Sequence, residues 1–520
     1  MNRRKSGKIA AVIDISSNLL KMKICQLKKG EIEMVDRLEY PIRLGNEVFH
    51  GGKISFECLW EMSSILHGYA EAMQQYGVTQ YKMVATTALR EAKNRDYITD
   101  QLKIQNNAAV QILEDDQEKT LIYSEILNSI QAMDDLPPGS TLISFIGTGS
   151  IGISIFNGTD MVFSQNIAIG PLKLYNMLSG IQESTGDFGT VAEEYLDLVI
   201  GHIPLPDTEK KIPNLVLTGN EIEMIARICG IAPAQNRYLI PSELIERLFQ
   251  EVRTMPPAAI GPKYGLAESS AEILYPALVI YVRLIRLTHA PRVVSPKVEL
   301  WDALMRQLLI PKSKSDYEKH VVTNAVSCAQ RIADQYRCPK AHSDTVRRFS
   351  CRIFDKTKSL HGLDFKKRLI LELAAILHDC GHYINSKDYL RSTFDLVKNI
   401  DIYGLTDEDM LMVAYLCRYD ENLVPGENDA DFSALDRTNR LTISKLVAIF
   451  RLANSLDKSQ MQKLGDIRVK LEKDRLVISG RSDDNLYLEK WAFGLCSPFF
   501  QEVFGIHPVF AVKSEMLHQP

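Results

Sequence analysis

Two groups of residues in this 520-residue sequence have types and spacings suited to chemistry. The first is a set of short polar turns, each following an apolar stretch. These are Ser16-Ser17-Asn18, Thr86-Thr87 running on to Arg90, Gly147-Thr148-Gly149-Ser150, and Thr218-Gly219. Turns of this composition, set between a strand and the next element, aim backbone N–H groups at one point, which suits an anion. Between the second and third turns lies the acidic run Glu114-Asp115-Asp116-Gln117-Glu118. Hydrolysis of a phosphoanhydride needs an oriented water, a base for its proton and positive charge against the phosphates. Glu118 is the candidate base, although the same run also reads as the solvated first turn of a helix, where carboxylates favour the dipole. The second group is His342, the pair His378-Asp379, and Asp457. Two imidazoles and two carboxylates converging on helices form an N/O set suited to Mn, Fe, Mg or Zn, and such a metal would acidify a bound water. A lone His on an apolar helix reads equally as a core residue making one hydrogen bond.

These groups need scaffolds to position them. Ile9 to Ser16 reads as a buried strand and Leu20 to Leu27 as its hairpin return. Thr141 to Phe156 repeats the strand, polar turn, strand shape, which predicts an internal duplication with two related lobes. In each lobe another strand runs straight into a helix, at Met83–Arg90 and at Leu215–Asn220. The turn cluster Asp134–Ser140 marks the boundary between lobes, and Pro311-Lys312-Ser313-Lys314-Ser315 reads as a linker. The expected organisation is α/β lobes at 1–135 and 136–310, an all-α domain at 316–465 and a small α+β module at 466–520.

Composition bounds the function. With 45% apolar and 24% charged residues the chain is globular, which excludes disordered, collagenous and coiled-coil classes. Lys plus Arg is 61 against 65 for Asp plus Glu, a net charge of −4, so no global basic field collects nucleic acid and no specific nucleic-acid partner is expected. The apolar stretch Ala271–Leu287 is broken by Glu272, Arg283 and Arg286, which argues against a membrane span. The basic residues 1–8 are followed by Asp14 and no cleavage site, so no signal peptide is read. Nine Cys without a CxxC pair suit reduced thiols in a cytoplasm.

Taken in order, Ile13-Asp14-Ile15-Ser16-Ser17-Asn18, Val84–Asn94, Glu118–Tyr123 and Ile146–Ser150 resemble the motifs of the exopolyphosphatase / guanosine pentaphosphate phosphohydrolase family. With Gly170 and Thr218-Gly219 the resemblance covers about residues 8–305. It implies duplicated actin-like lobes of the actin–sugar kinase–Hsp70, ribonuclease H-like class. It further implies attack of water on a terminal phosphoryl group with Glu118 as base. Ser16, Ser17, Asn18, Arg90, Gly147, Thr148, Gly149, Ser150, Thr218 and Gly219 would hold the phosphates, and Asp14 would help to hold a divalent cation, Mg or Mn. The implied partners are inorganic polyphosphate or a guanosine polyphosphate, and a second copy of the chain in a homodimer. The order His342, His378-Asp379, Asp457 resembles the HD phosphohydrolase superfamily and implies an HD domain with a metal on those four residues. Lys387–Ser392 and Arg418-Tyr419-Asp420 lack that superfamily's later histidines, which leaves a single metal. The sequence also departs from the first family. Phe145 and Gly152 replace two carboxylates that serve the metal and the water, Ser16 and Thr148 replace glycines, and Ser270 and Trp301 replace arginines. Three readings follow: hydrolysis in the cleft, polyanion binding without turnover, and hydrolysis in the HD domain.

Overall fold

β1 (Ile9–Ile15) is apolar at every position but Asp14 and is buried on both faces, as a central strand is. β2 (Leu19–Lys28) and β3 (Glu31–Pro41) fold back from it antiparallel, and β4 (Gln80–Ala85) and β5 (Gln111–Ile112) extend the other side in parallel. The order is β3-β2-β1-β4-β5. A second meander follows in β6 (Thr141–Ile146), β7 (Ile151–Asn157) and β8 (Asp160–Ile167), then β9 (Asn214–Gly219), β10 (Arg237–Pro241) and β11 (Arg292–Pro296). Its order, β10-β11-β9-β6-β7-β8, repeats the first sheet with β10 added antiparallel at the edge. This repetition is the internal duplication that the sequence predicts. These elements come from a computed structural model, which describes residues 8–107, 109–131, 136–158, 160–177, 188–203, 212–219, 221–420, 422–426 and 429–513. The start of the boundary turn at Asp134 lies outside the described residues, as do Asn220 and the basic residues 1–7.

The chain divides into one unit up to Val321 and another from Val322. In the first, the helix Glu268–Thr288 is buried along nearly its whole length, and its buried Arg283 is neutralised by Asp197 and Glu193. The helix Leu300–Leu309 packs against β1, β2 and the helix Asp115–Gln131. Its capping acids Glu299 and Asp302 also pair with Lys21 and Lys23 at 3.3 and 2.5 Å, which fasten it to the first sheet. The expected linker at 311–315 is instead the start of the helix Pro311–Gln335. Pro at the first helical position gives up an N–H that has no intrahelical acceptor, so it opens a helix as readily as it breaks one.

In the second unit the helices Lys340–Lys356, Phe365–Leu377, Asp407–Arg418 and Arg437–Ser455 pack on one another. The run Leu369–Leu377 is buried throughout, and the Asp364 side chain caps its helix by accepting from Lys367 N at 3.0 Å. β12 (Ile467–Leu471), β13 (Arg475–Arg481) and β14 (His507–Lys513) form a sheet, with the helix Tyr487–Phe504 between the last two strands. No helix among the described residues is long and apolar enough to cross a membrane.

Gly170 tests how tightly the second lobe's turn is packed. A Cβ there would lie 2.2 Å from Gly147 O and 2.5 Å from the Thr148 carbonyl carbon, and backbone cannot rotate away. Gly170→Ala is expected to cost about 1–3 kcal/mol, read as a lower denaturant midpoint of the first unit's transition.

Candidate functional site

The turns after β1 and β6 confront each other, with Thr148 Oγ1 donating to Ser17 Oγ at 3.0 Å. The first turn is closed by Ser16, whose N–H and hydroxyl both donate to Leu19 O at 3.0 and 2.8 Å; the second is closed by Gly147 N–H on Ser150 O at 2.8 Å. A Cβ on Gly149 would sit 2.5 Å from Thr87 Cγ2, so the second lobe's turn rests on the strand-to-helix turn of the first. A cleft of about 1070 Å³ opens here. Ser16, Asn18, Gly147, Thr148, Thr218 and Gly219 line it, together with Asp14 and Glu118. Ser17, Gly149, Ser150 and Arg90 are not part of its lining.

Glu118 stands in the first turn of the helix Asp115–Gln131. Burial pushes its carboxyl up to about 7, against the pull of Arg90, whose Nη1 is 3.3 Å from Oε2. The same guanidinium donates to Leu113 O at 2.7 Å, Thr87 Oγ1 at 3.1 Å and Asp115 Oδ1 at 3.0 Å. Arg90 is thus committed to the acids and backbone of its own lobe. Asp115, which sequence reasoning did not single out, also accepts from Ser150 Oγ at 2.8 Å and from the Lys119 ammonium. Burial alone would raise the Asp115 carboxyl, but Lys119 and Arg90 hold it below the usual carboxylate range. The one available signal was the i, i+4 spacing of Asp115 and Lys119 on a helix.

Asp14 is raised to about 6 by burial, with Lys21 opposing, and its Oδ1 has no hydrogen-bond partner among the described residues. That orphaned oxygen could accept a cation, but the rest of a donor set is missing. Phe145 offers no oxygen, Gly152 has no side chain, and the strongest charge acting on Asp14 is that of Lys21. A Mg²⁺ ion takes one or two protein carboxylates and completes its six oxygens with water and phosphate, so without carboxylates at 145 and 152 the residues present do not fit the cleft metal as the resemblance implies it. The basic side chains lining the cleft are already paired. Lys21 and Arg37 lie 3.3 and 3.5 Å from Glu299, Lys23 2.5 Å from Asp302, Lys297 2.7 Å from Glu223, and Arg306 2.7 Å from Glu125. Trp301 stands within this group, with Lys21, Lys23 and Arg37 at 5.5, 5.1 and 4.7 Å from its ring.

The second unit brings together all four of its candidate ligands. His342, in the first turn of Lys340–Lys356, has Nδ1 2.8 Å from Asp457 Oδ2 and Nε2 3.2 Å from His378 Nε2. Ligand atoms of His342, His378 and Asp379 all lie within 4.8 Å of one another. Burial lowers the basicity of His378, which favours the neutral imidazole that a metal requires. Two residues that sequence reasoning missed hold the carboxylates. Gln460 Nε2 donates to Asp379 at 3.2 Å, and Gln462 donates to Asp457 from its N–H at 2.8 Å and from Nε2 at 3.1 Å. Both glutamines have left-handed backbone, with φ of 55° and 49°. His342, His378 and Asp379 thus bring three ligand atoms together, while Asp457 sits on the other ring nitrogen of His342.

Glu221, also missed, lines the cleft and is 2% exposed. Apart from its own backbone N–H, neither oxygen has a partner among the described residues, and burial raises it from the usual 4.5 to about 7. A raised acid binds more protons folded than unfolded between those values, so its ionisation lowers stability as pH climbs from about 4.5 to 7. Glu221→Gln removes that cost. It is expected to raise stability at pH 8 by up to about 3 kcal/mol and to change it little at pH 4, measured by denaturant unfolding at both pH values.

Residues 23–290 match the Ppx/GppA phosphatase family, and residues 326–490 match Ppx/GppA phosphatase, domain III. A guanosine-5'-triphosphate,3'-diphosphate pyrophosphatase of Pseudoalteromonas translucida is 22% identical over 457 residues, covering 86% of both chains. A protein of the same name from Photobacterium profundum is 19% identical over 466 residues, covering 86% of this chain and 88% of that one. In fold, the crystal structure of an exopolyphosphatase from Cytophaga hutchinsonii superposes with a TM-score of 0.51 at 18% identity, over 58% of this chain and 98% of its own. With its two repeated sheets, facing turns and a family match spanning more than half of its length, the chain belongs to the Ppx/GppA phosphatase family.

Proposed function

We propose that the cleft binds the terminal phosphates of inorganic polyphosphate or guanosine pentaphosphate and hydrolyses the last anhydride, with Glu118 as the base. The observation that carries this reading is Glu118 itself, a buried carboxylate at about 7 lining the cleft beside the two facing turns. A base with that affinity is partly ionised at neutral pH and still basic enough to take a proton from water. The turns at Ser16–Asn18, Gly147–Ser150 and Thr218-Gly219 would present N–H and hydroxyl donors to the phosphates, while Arg90 orients Glu118 from behind. The names of the relatives, a guanosine polyphosphate pyrophosphatase and an exopolyphosphatase, support the substrate class. A second reading, binding without turnover, is favoured by one observation: the Arg90 guanidinium makes four internal hydrogen bonds. In the second unit, His342, His378, Asp379 and Asp457 would hold one divalent cation as an HD domain does, and that cation would acidify a bound water.

Two measurements test these assignments. In a phosphate-release assay on tripolyphosphate, the rate is expected to rise with pH through a limb near 7, because Glu118 must lose its proton to act. Glu118→Gln should lower the rate at least about 100-fold and erase the limb with little change in affinity. Binding by the wild type without any release establishes the second reading instead. For the helical unit, Mn²⁺ is expected to raise the thermal midpoint of the wild type and not that of His378→Ala.

A further inference from the structure

Behind the cleft lining, next to Phe145, buried side chains are wired in a way that changes what the cleft needs from solution. Phe145 on β6 and Gly152 on β7 are directly paired across the sheet and so share one face. Above Gly152 there is no room for a side chain: a Cβ would lie 2.3 Å from the Tyr123 hydroxyl and 2.7 Å from Lys119 Cδ. Tyr123 and Lys119 are four residues apart on the helix Asp115–Gln131, so they present one face together, and each is only 2% exposed. The space that a carboxylate at position 152 would occupy is therefore filled by a lysine stem.

A buried ammonium is tolerated only when it is paired and hydrogen-bonded. Lys119 meets that condition through Asp115 Oδ2, while Asp115 Oδ1 accepts from Arg90 at 3.0 Å and from Ser150 of the second turn at 2.8 Å. Arg90 in turn sits 3.3 Å from Glu118. Two fixed cations thus face two carboxylates directly beneath the turns. A divalent ion placed here would compete with both cations for the same oxygens and would be repelled by them at short range.

We propose that the Lys119 ammonium stands in for a divalent cation, so that phosphate groups bind in this cleft without a metal. The proposal rests on the phosphate-cleft reading given above. Lys119 acts through Asp115 and Ser150 on the second turn and is a positioning residue.

Three measurements on the full-length protein decide it. Tripolyphosphate affinity by titration calorimetry is expected to agree within about threefold between excess EDTA and excess Mg²⁺, whereas a loss of about tenfold or more in EDTA overturns the proposal. Manganese measured on protein loaded with tripolyphosphate and freed of unbound salt by gel filtration should not exceed that on the protein alone, and an extra equivalent per bound tripolyphosphate overturns it. Lys119→Met keeps the stem and removes the charge; it should weaken binding in EDTA by about tenfold, with Lys119→Arg restoring part of it, and unchanged affinity in a folded Lys119→Met counts against the idea. Should the methionine variant fail to fold, the first two measurements decide on the native lysine. Absence of tripolyphosphate binding with and without Mg²⁺ refutes the phosphate-cleft reading itself. That outcome overturns the proposal as well, whereas binding that requires Mg²⁺ overturns the proposal and leaves the phosphate-cleft reading standing.

Discussion

The carboxylate of Asp115 is the joint on which the rest of the first unit's cleft depends. It accepts from Arg90 of the first lobe, from Ser150 of the second and from Lys119 of its own helix. Removing one partner of such a buried cluster leaves an uncompensated charge, which costs far more than the net worth of the pair. The cluster therefore fixes three things at once: the start of the helix Asp115–Gln131, the second turn, and the guanidinium behind Glu118. The position and the proton affinity of Glu118 follow from that arrangement. Its carboxyl is raised because it is desolvated, and it stays near 7 rather than rising further because Arg90 is held beside it.

The same logic extends along the cleft wall. The helix Leu300–Leu309 is fastened to β2 through Glu299 and Asp302, which serve as helix caps and as partners for Lys21 and Lys23. Trp301, at a position where the resemblance implies an arginine, fills the volume between these lysines and Arg37. Cations above an indole face are stabilised by the ring as well as by their acids. Positive charge in this cleft is thus supplied from β2 and β3 and is balanced before any ligand arrives. Recognition of a phosphate would fall to backbone amides and hydroxyls, which suits the facing turns at Ser16–Asn18 and Gly147–Ser150.

Much of the fold was legible in the sequence because strands buried on both faces and polar turns leave strong local marks. Ile9–Ile15 and Thr141–Ile146 carry such runs, and the structure repeats one sheet order around them. The linker expected at 311–315 failed for a local reason: Pro and Ser favour both loops and helix starts, and only tertiary packing decides between them. At the site, residue types located Glu118 and the turns but could not show where side chains point. Arg90 turns toward acids of its own lobe, which depends on Asp115 lying 25 positions along the chain. Glu221 left no signature because an isolated Glu is a surface residue far more often than a buried one, and Gln460 and Gln462 left none because they are surface glutamines whose turn alone brings their amides to the aspartates.

The two units solve the problem of a buried carboxylate differently. In the first, Asp115 and Glu118 are paired with Lys119 and Arg90, whose fixed charges occupy both oxygens of Asp115 and one of Glu118. In the second, Asp379 and Asp457 are held by imidazoles and by the amides of Gln460 and Gln462. Burial disfavours the charged form of His378, so Asp379 faces a weaker positive charge there than Asp115 meets at Lys119 and Arg90. The left-handed backbone at both glutamines stores strain in the loop that places those amides. Strain is tolerated where the surroundings overdetermine it, and here it keeps two carboxylates oriented toward two imidazoles. The helical unit thus sets its buried aspartates against imidazoles and amides, while the cleft sets its own against fixed cations.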